Sequence, residues 1–279
     1  MSTSQNPMSQ REPWDLVAEG YADQADLVML PFAKQALRLA SPAARAHVID
    51  VAAGSGALTL LAAPNVASVH AVDFSTNMLA QLRRQARARG IANVELTVAD
   101  GQALPLPDAA FDAAFSMFGL MFFPDRARGF SELYRVLKPG GRAVVSSWAP
   151  IDESPLMLLM FDAIRLVEPS LFVPPANMLS LENPEVFERE LSAAGFVEVQ
   201  VTPWRTSLEI QDPEHLWRLM TRSSAPLCLL RKRLGEDAWQ RGAALAVAHL
   251  AQKLETGPRS LATTAYLGYG SKPEPRQRP

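Results

Sequence analysis

The stretch Val48-Ile49-Asp50-Val51-Ala52-Ala53-Gly54-Ser55-Gly56 constrains the fold more than any other part of the chain. A short apolar run ends in a string of small residues, and residues 58–63 then continue with helical spacing. Small residues let backbone approach a ligand closely. The helix that starts there offers unpaired N–H groups and the positive end of its dipole. Alone, a Gly-x-Gly turn is equally well explained as a tight strand-to-helix connection with no ligand.

The residues beyond this turn repeat the pattern. Residues 68–72, 93–99, 111–116 and 142–148 read as further strands after the first at 47–51. Between them lie helices at 75–89, with Ser75 or Thr76 as N-cap and Gly90 as stop, and at 125–137, closed by Pro139-Gly140-Gly141. Strands alternating with helices imply a parallel sheet with helices on both faces. Ahead of it, residues 14–21 and 27–39 predict two helices, with Pro31 delaying or kinking the second. After Trp148 the rhythm changes. Residues 149–182 contain a Leu/Met-rich helix and a Pro174-Pro175 turn, without a strand. Residues 184–194 predict a helix stopped by Gly195, 196–204 a strand with an extension toward Ile210, 213–255 mostly helix, and 260–269 a last strand.

We therefore expect a single α/β domain over residues 1–279, with a ligand-binding core at about 14–148, 183–211 and 259–270. A discontinuous helical cap at about 149–182 and 212–258 would lie over the C-terminal edge of the sheet; the alternative is extra core helices behind it. Residues 1–12 and 271–279 read as frayed ends.

Composition narrows the function classes. The 279 residues carry a formal net charge of −2 and no long Lys/Arg run, which disfavours a nucleic-acid partner. The one cysteine, Cys228, excludes an internal disulfide and a Cys-based metal cluster, and reads as a buried filler in a Leu-rich helix. No metal site is expected. The N-terminus lacks the apolar core of a signal peptide, and the strongest apolar stretch, 156–167, is broken by Asp162 and Arg165. A cytoplasmic protein without a membrane span is the expectation. Oligomeric state is not legible.

Three acids add chemistry. A dinucleotide site would want a third glycine where Thr59 stands, and Asp50 would repel a diphosphate. An acid there suits an ammonium, with nearby amide N–H groups suiting a carboxylate, as in an amino-acid moiety. Asp73 ends the second strand, where a carboxylate accepts both hydroxyls of a ribose; its plainer role is as a cap for the next helix. Asp100 ends the third strand, in Ala99-Asp100-Gly101-Gln102-Ala103-Leu104-Pro105, and is suited to an adenine amino group. All three in register fall on the edge where open α/β sheets bind ligands.

With Val72-Asp73, Phe111-Asp112 and Leu133-Tyr134-Arg135-Val136-Leu137-Lys138-Pro139-Gly140-Gly141, the series resembles the motifs of class I methyltransferases that use S-adenosylmethionine (SAM). It is most similar to the branch of ubiquinone/menaquinone-biosynthesis and small-molecule enzymes, over roughly residues 14–148. The resemblance implies a Rossmann-like seven-stranded sheet whose last strand is antiparallel. It also implies that Gly54 and Gly56, with Asp50 and Ala52 in the same loop, approach the methionine part of SAM. Ala52 stands where glycine is commonest. Asp73 would hold the ribose, Phe74 would flank the adenine with Met78 in the same set, and Asp100 and Gly101 would approach its edge. Ser116 and Met117 would lie near the sulfonium, and Tyr21 would close over the cofactor.

The segment Ser116-Met117-Phe118-Gly119-Leu120-Met121-Phe122-Phe123-Pro124 lacks the polar-Pro-Pro-aromatic motif of enzymes that methylate amide or adenine nitrogens. Phe118, Met121 and Phe122 instead suit an apolar or aromatic small-molecule acceptor, although Met and Phe there are equally at home in a core. O- or C-methylation is favoured. His215 and His249 are weak candidates for a general base, and neither is singled out. Rival readings are an inactive SAM-binding regulatory protein, an NAD-linked reductase, and a protein or RNA methyltransferase. Thr59 and the Asp100 motif disfavour the second; charge and the missing amide motif disfavour the third.

Overall fold

Short runs of β-branched and apolar residues, each ended by turn residues, form the middle of the sheet. The computed structural model describes residues 6–169, 181–256 and 259–275. Its strands are β1 (His47–Val51), β2 (Ser68–Asp73), β3 (Val94–Val98), β4 (Phe111–Met117), β5 (Leu137–Trp148), β6 (Val197–Glu209) and β7 (Ser260–Ser271), in the order β3-β2-β1-β4-β5-β7-β6. β1 pairs in parallel with β2 on one side and β4 on the other. β7 enters antiparallel between β5 and β6, as the resemblance implies. A central parallel strand is covered on both faces, so β1 is buried from Val48 to Val51 rather than alternating.

Side chains on successive strand positions face opposite layers. Val48, Phe115 and Val144 pack against Ala33 and Ala36 of α1 (Arg11–Ala40) and Leu58 of α2 (Ala57–Ala62). Ile49, Ala114 and Val145 face the other way, with Phe130 of α4 (Arg126–Val136) and Phe187 of α6 (Pro184–Ala193). α3 (Thr76–Ala88) begins at Ser75, whose hydroxyl accepts the Met78 N–H, and it buries one face through Met78, Leu79, Leu82 and Ala86.

Three expectations are corrected. The N-terminal helices are one 30-residue helix that contains Pro31. A proline inside a helix costs about 3 kcal/mol. Phe32, Ala33 and Ala36 beyond it are all buried, and burying the Phe side chain alone returns about 1.5–3 kcal/mol. β5 starts at Leu137, so Pro139-Gly140-Gly141 lies inside it, where the register against β4 shifts between Phe111 and Ala113. Of the stretch read as a frayed start, residues 6–12 are ordered: a 3-10 turn at Pro7–Ser9 buries Met8 and leads into α1.

α5 (Pro155–Val167), α7 (Pro213–Ser223), α8 (Ala225–Leu234) and α9 (Glu236–Thr256) share an apolar cluster of their own. Leu156, Leu216, Leu219 and Trp217 stand at its centre, with Trp217 stacked on Trp239 at 5.8 Å. Cys228, half-buried on α8, has its Sγ 3.5 Å from the Thr221 carbonyl. Among the described residues no helix is long and apolar enough to cross a membrane. The Pro174-Pro175 turn lies outside the described residues.

Candidate active site

The loops that leave β1, β2, β3 and β4 converge at the C-terminal edge of the sheet. In the first, Ala52, Gly54 and Gly56 all have left-handed backbone, with φ of 58°, 55° and 96°. The turn is held from below: the Gly54 N–H donates to Asp73 Oδ2 at 2.8 Å, and the Ser75 N–H to Oδ1 at 2.8 Å. One carboxylate thus joins two loops and keeps a lone pair on each oxygen. Burial pushes the Asp73 carboxyl up to about 6 despite those N–H groups.

Asp50 is buried deeper and accepts the Thr59 hydroxyl at 2.7 Å. Burial raises its carboxyl to about 7, with the Asp73 charge adding to the effect. Thr59, which stands where a dinucleotide site would carry glycine, is the partner of this acid. Gly56 serves packing: a Cβ there would come 2.2 Å from Leu82 Cδ1 of α3.

The third loop is built differently. Asp100 lies two residues beyond β3 and is exposed. Its Oδ1 accepts the backbone N–H of Gln102 at 2.9 Å and the side-chain Nε2 at 3.0 Å, while Gln102 Oε1 accepts the Asp125 N–H at 2.8 Å. From α4, Glu132 accepts the Leu104 N–H at 2.7 Å, and Arg135 donates to the carbonyls of Leu104 and Leu106. Gly101 is wedged so tightly that a Cβ would lie 2.5 Å from Phe123 Cζ and 2.8 Å from Val51 Cγ1.

After β4, Phe118 takes a left-handed φ of 56°, and its N–H donates to the Ser146 hydroxyl at 2.9 Å. The turn stacks the Phe118 ring on Trp148 at 4.2 Å, with Phe32 edge-on at 5.4 Å. Left-handed backbone at a bulky residue is strained and persists only where the surroundings hold it. Here two aromatic contacts and the Ser146 hydrogen bond do so.

Two cavities result. The first has Ala52 and Gly54, then Asp73, Phe74 and Met78, then Asp100 and Gly101, and finally Met117 on its walls. The second is almost wholly apolar, lined by Trp148, Met157, Met160, Leu216, Leu219 and Met220 among others. Trp14, Tyr21, Phe118 and Phe122 belong to both, so four aromatic rings divide the two spaces. The ring edge of Tyr21 stands 3.9 Å from where a Cβ on Gly54 would be. Trp14 leans on Phe122 at 5.3 Å and donates its Nε1–H to the Met8 carbonyl at 2.9 Å.

Of the residues singled out from the sequence, Asp50, Gly56 and Ser116 stand behind the cavity walls rather than on them. Ser116 is fully buried, its hydroxyl accepting the Leu120 N–H. Met121 is core, with the Ser147 hydroxyl 3.5 Å from its sulfur. His215 borders a separate hollow beside Leu208 and Ile210, and His249 lines neither cavity. Sequence reasoning missed Met8, Trp14, Gln102 and Phe123 on the first cavity and Trp148 and the α5 methionines on the second. Trp14 and Tyr21 lie seven residues apart, two turns on one helix face, which was the available signal. No group of three or more His, Cys, Asp or Glu able to hold a metal exists among the described residues.

The chain matches a family model described as a methyltransferase domain over residues 49–145, from β1 into β5. A demethylmenaquinone methyltransferase of Thermus thermophilus is 36% identical over 181 residues, covering 60% of this chain and 81% of that protein. A candidate methyltransferase from an antibiotic biosynthesis pathway of Anabaena variabilis is 18% identical with a TM-score of 0.64, covering 89% of this chain and 99% of that one. Phosphoethanolamine N-methyltransferase 2 of Haemonchus contortus, solved with phosphomonomethylethanolamine and S-adenosylhomocysteine, is 19% identical with a TM-score of 0.54, covering 88% of this chain and 53% of that one. At such identities the two solved structures speak to fold alone.

Proposed function

The chain belongs to the SAM-dependent methyltransferase family, and on that premise we propose that it methylates a small, largely apolar or aromatic acceptor such as a phenol or a quinone precursor. The observation that carries this reading is the pair of cavities divided by Trp14, Tyr21, Phe118 and Phe122. One has backbone amides and carboxylates on its walls; the other offers an apolar surface. The demethylmenaquinone methyltransferase name of the Thermus relative supports an aromatic acceptor.

The first cavity fits SAM by its donor set. Two vicinal ribose hydroxyls need two acceptors, and Asp73 has one lone pair left on each oxygen. Gly54 and Ala52 bring backbone close at the methionine end, Asp100 and Gly101 face the adenine edge, and Phe74 and Met78 cover its faces. Tyr21 closes over the turn. Asp50 acts through Thr59 and the loop rather than by contact.

When bound, SAM supplies a methyl carbon already activated by a positive sulfur. The protein then needs to align the acceptor and exclude water. Phe118 and Phe122 hold the ring of the acceptor against the boundary between the cavities. Met157, Met160 and Leu216, from the helices after β5 and β6, cap it. His215 and His249 line neither cavity, so neither is assigned as a base. That favours an acceptor that ionises readily, a phenol or an enol, over an aliphatic alcohol.

The test is calorimetry with SAM and S-adenosylhomocysteine, and then transfer of labelled methyl from SAM to a panel of naphthols and hydroquinones. Micromolar cofactor binding and label in an aromatic product are expected. No cofactor binding, or label appearing only in polar amines, would overturn the reading.

A further inference from the structure

The wall of the second cavity includes a buried hydroxyl that the fold itself does not use. Thr263 on β7 is 1% exposed, lies on the cavity wall, and its hydroxyl has no hydrogen-bond partner among the described residues. Its neighbour Thr264 points to the opposite face of the strand and is fully engaged. The Thr264 hydroxyl donates to the Glu153 carbonyl at 2.9 Å, and its N–H donates to the Ser154 hydroxyl at 3.0 Å. Among the other hydroxyls on the wall, that of Ser223 donates to the Leu219 carbonyl at 2.6 Å, and Ser224 is only half-buried.

A buried hydroxyl without a partner is destabilising, and nearly all such groups in folded proteins are satisfied. Valine has the same shape, suits a strand at least as well and would leave this apolar wall uninterrupted. Thr263 lines this cavity and not the cofactor cavity.

On the reading that this cavity holds an aromatic acceptor, we infer that the Thr263 hydroxyl recognises an oxygen substituent, a carbonyl or hydroxyl, remote from the atom that is methylated. Such a contact orients a flat apolar ring that dispersion alone would leave free to rotate. It selects by the asymmetry of hydrogen bonding: a ligand that lacks the oxygen leaves the hydroxyl unpaired in the complex. Thr263 is then a specificity residue, and the acceptor class narrows from an aromatic ring to one bearing two separated oxygen functions.

The test compares naphthohydroquinone with naphthol as ligands, with S-adenosylhomocysteine saturating, under anaerobic calorimetry. The variants are Thr263→Val and Thr263→Ser. Wild type is expected to prefer the diol by about five- to tenfold. Thr263→Val should bring the two ligands within about twofold by weakening the diol only, while Thr263→Ser keeps the preference. The thermal midpoint of ligand-free Thr263→Val should equal or exceed that of wild type, which checks that the strand is intact. A preference that survives in Thr263→Val, or an equal loss for both ligands, overturns the inference. If both bind wild type without preference, the inference falls and the aromatic-acceptor reading stands. If neither binds wild type while S-adenosylhomocysteine does, both fall.

Discussion

Ala52 fills the space that a side chain on Gly119 would need: a Cβ on Gly119 would lie 2.3 Å from the Ala52 Cβ. The first loop and the loop after β4 therefore close on each other through one methyl group. Ala52 has φ of 58°, which costs an L-residue about 1–2 kcal/mol, while glycine there loses about 0.5–1 kcal/mol to unfolded-state freedom. Ala52→Gly should thus raise stability by about 1.5 kcal/mol at most. Gly119→Ala should cost about 1–3 kcal/mol, and most of that cost should vanish in the Ala52→Gly background. Urea denaturation of the four proteins measures the coupling. An equal cost in both backgrounds would mean the two positions do not meet.

Asp73 joins two loops of the proposed cofactor site, through Gly54 and Ser75. Asp73→Ala should weaken SAM binding by about 1–3 kcal/mol, or roughly five- to 150-fold. The product S-adenosylhomocysteine should lose as much, because the ribose is the same in both. Calorimetry with both ligands checks this, and a loss confined to SAM would place Asp73 near the sulfur instead.

Much of the site was legible because it is local. The turn at Asp50–Gly56, the acid closing β2 and the Asp100 loop are each contiguous segments whose chemistry depends on a few neighbours. Strand existence could be read from short apolar runs for the same reason. What was hidden depends on distant pairing. Trp148 meets Phe118 only because β5 pairs with β4, and Thr263 reaches the second cavity only because β7 inserts between β5 and β6. Asp50 read as a ligand group, yet the Thr59 hydroxyl occupies it from the helix behind. Pro31 misled because its local cost is offset by burial that spacing alone does not reveal.

The buried acid beneath the loop gives a pH signature. The Asp50 carboxyl is raised from 3.8 to about 7 in the folded protein, so the folded state binds its proton more tightly than the unfolded state. Its contribution to stability therefore falls as pH rises from about 4 to about 7. Asp50→Asn removes that titration while keeping an oxygen for the Thr59 hydroxyl. Relative to wild type, the variant should gain stability on going from pH 5 to pH 8, by a few kcal/mol at most. Denaturant midpoints at the two pH values measure the difference. A constant offset between the proteins would show that Asp50 ionises normally in the fold.

The N-terminal turn supplies the last expectation. Met8 is 3% exposed, lines the proposed cofactor cavity and lends its carbonyl to the Trp14 Nε1–H. A segment at a chain end can detach without unfolding the domain, so its local free energy is separate from the global one. Met8→Ala should therefore leave the urea midpoint close to that of wild type. SAM affinity should fall by about three- to tenfold, because ligand binding must then order a turn that has lost its buried anchor. Protection of residues 6–12 in hydrogen exchange should drop in the free variant and recover on adding S-adenosylhomocysteine. An unchanged affinity together with a lowered urea midpoint would reverse the assignment, making Met8 part of the core and not of the site.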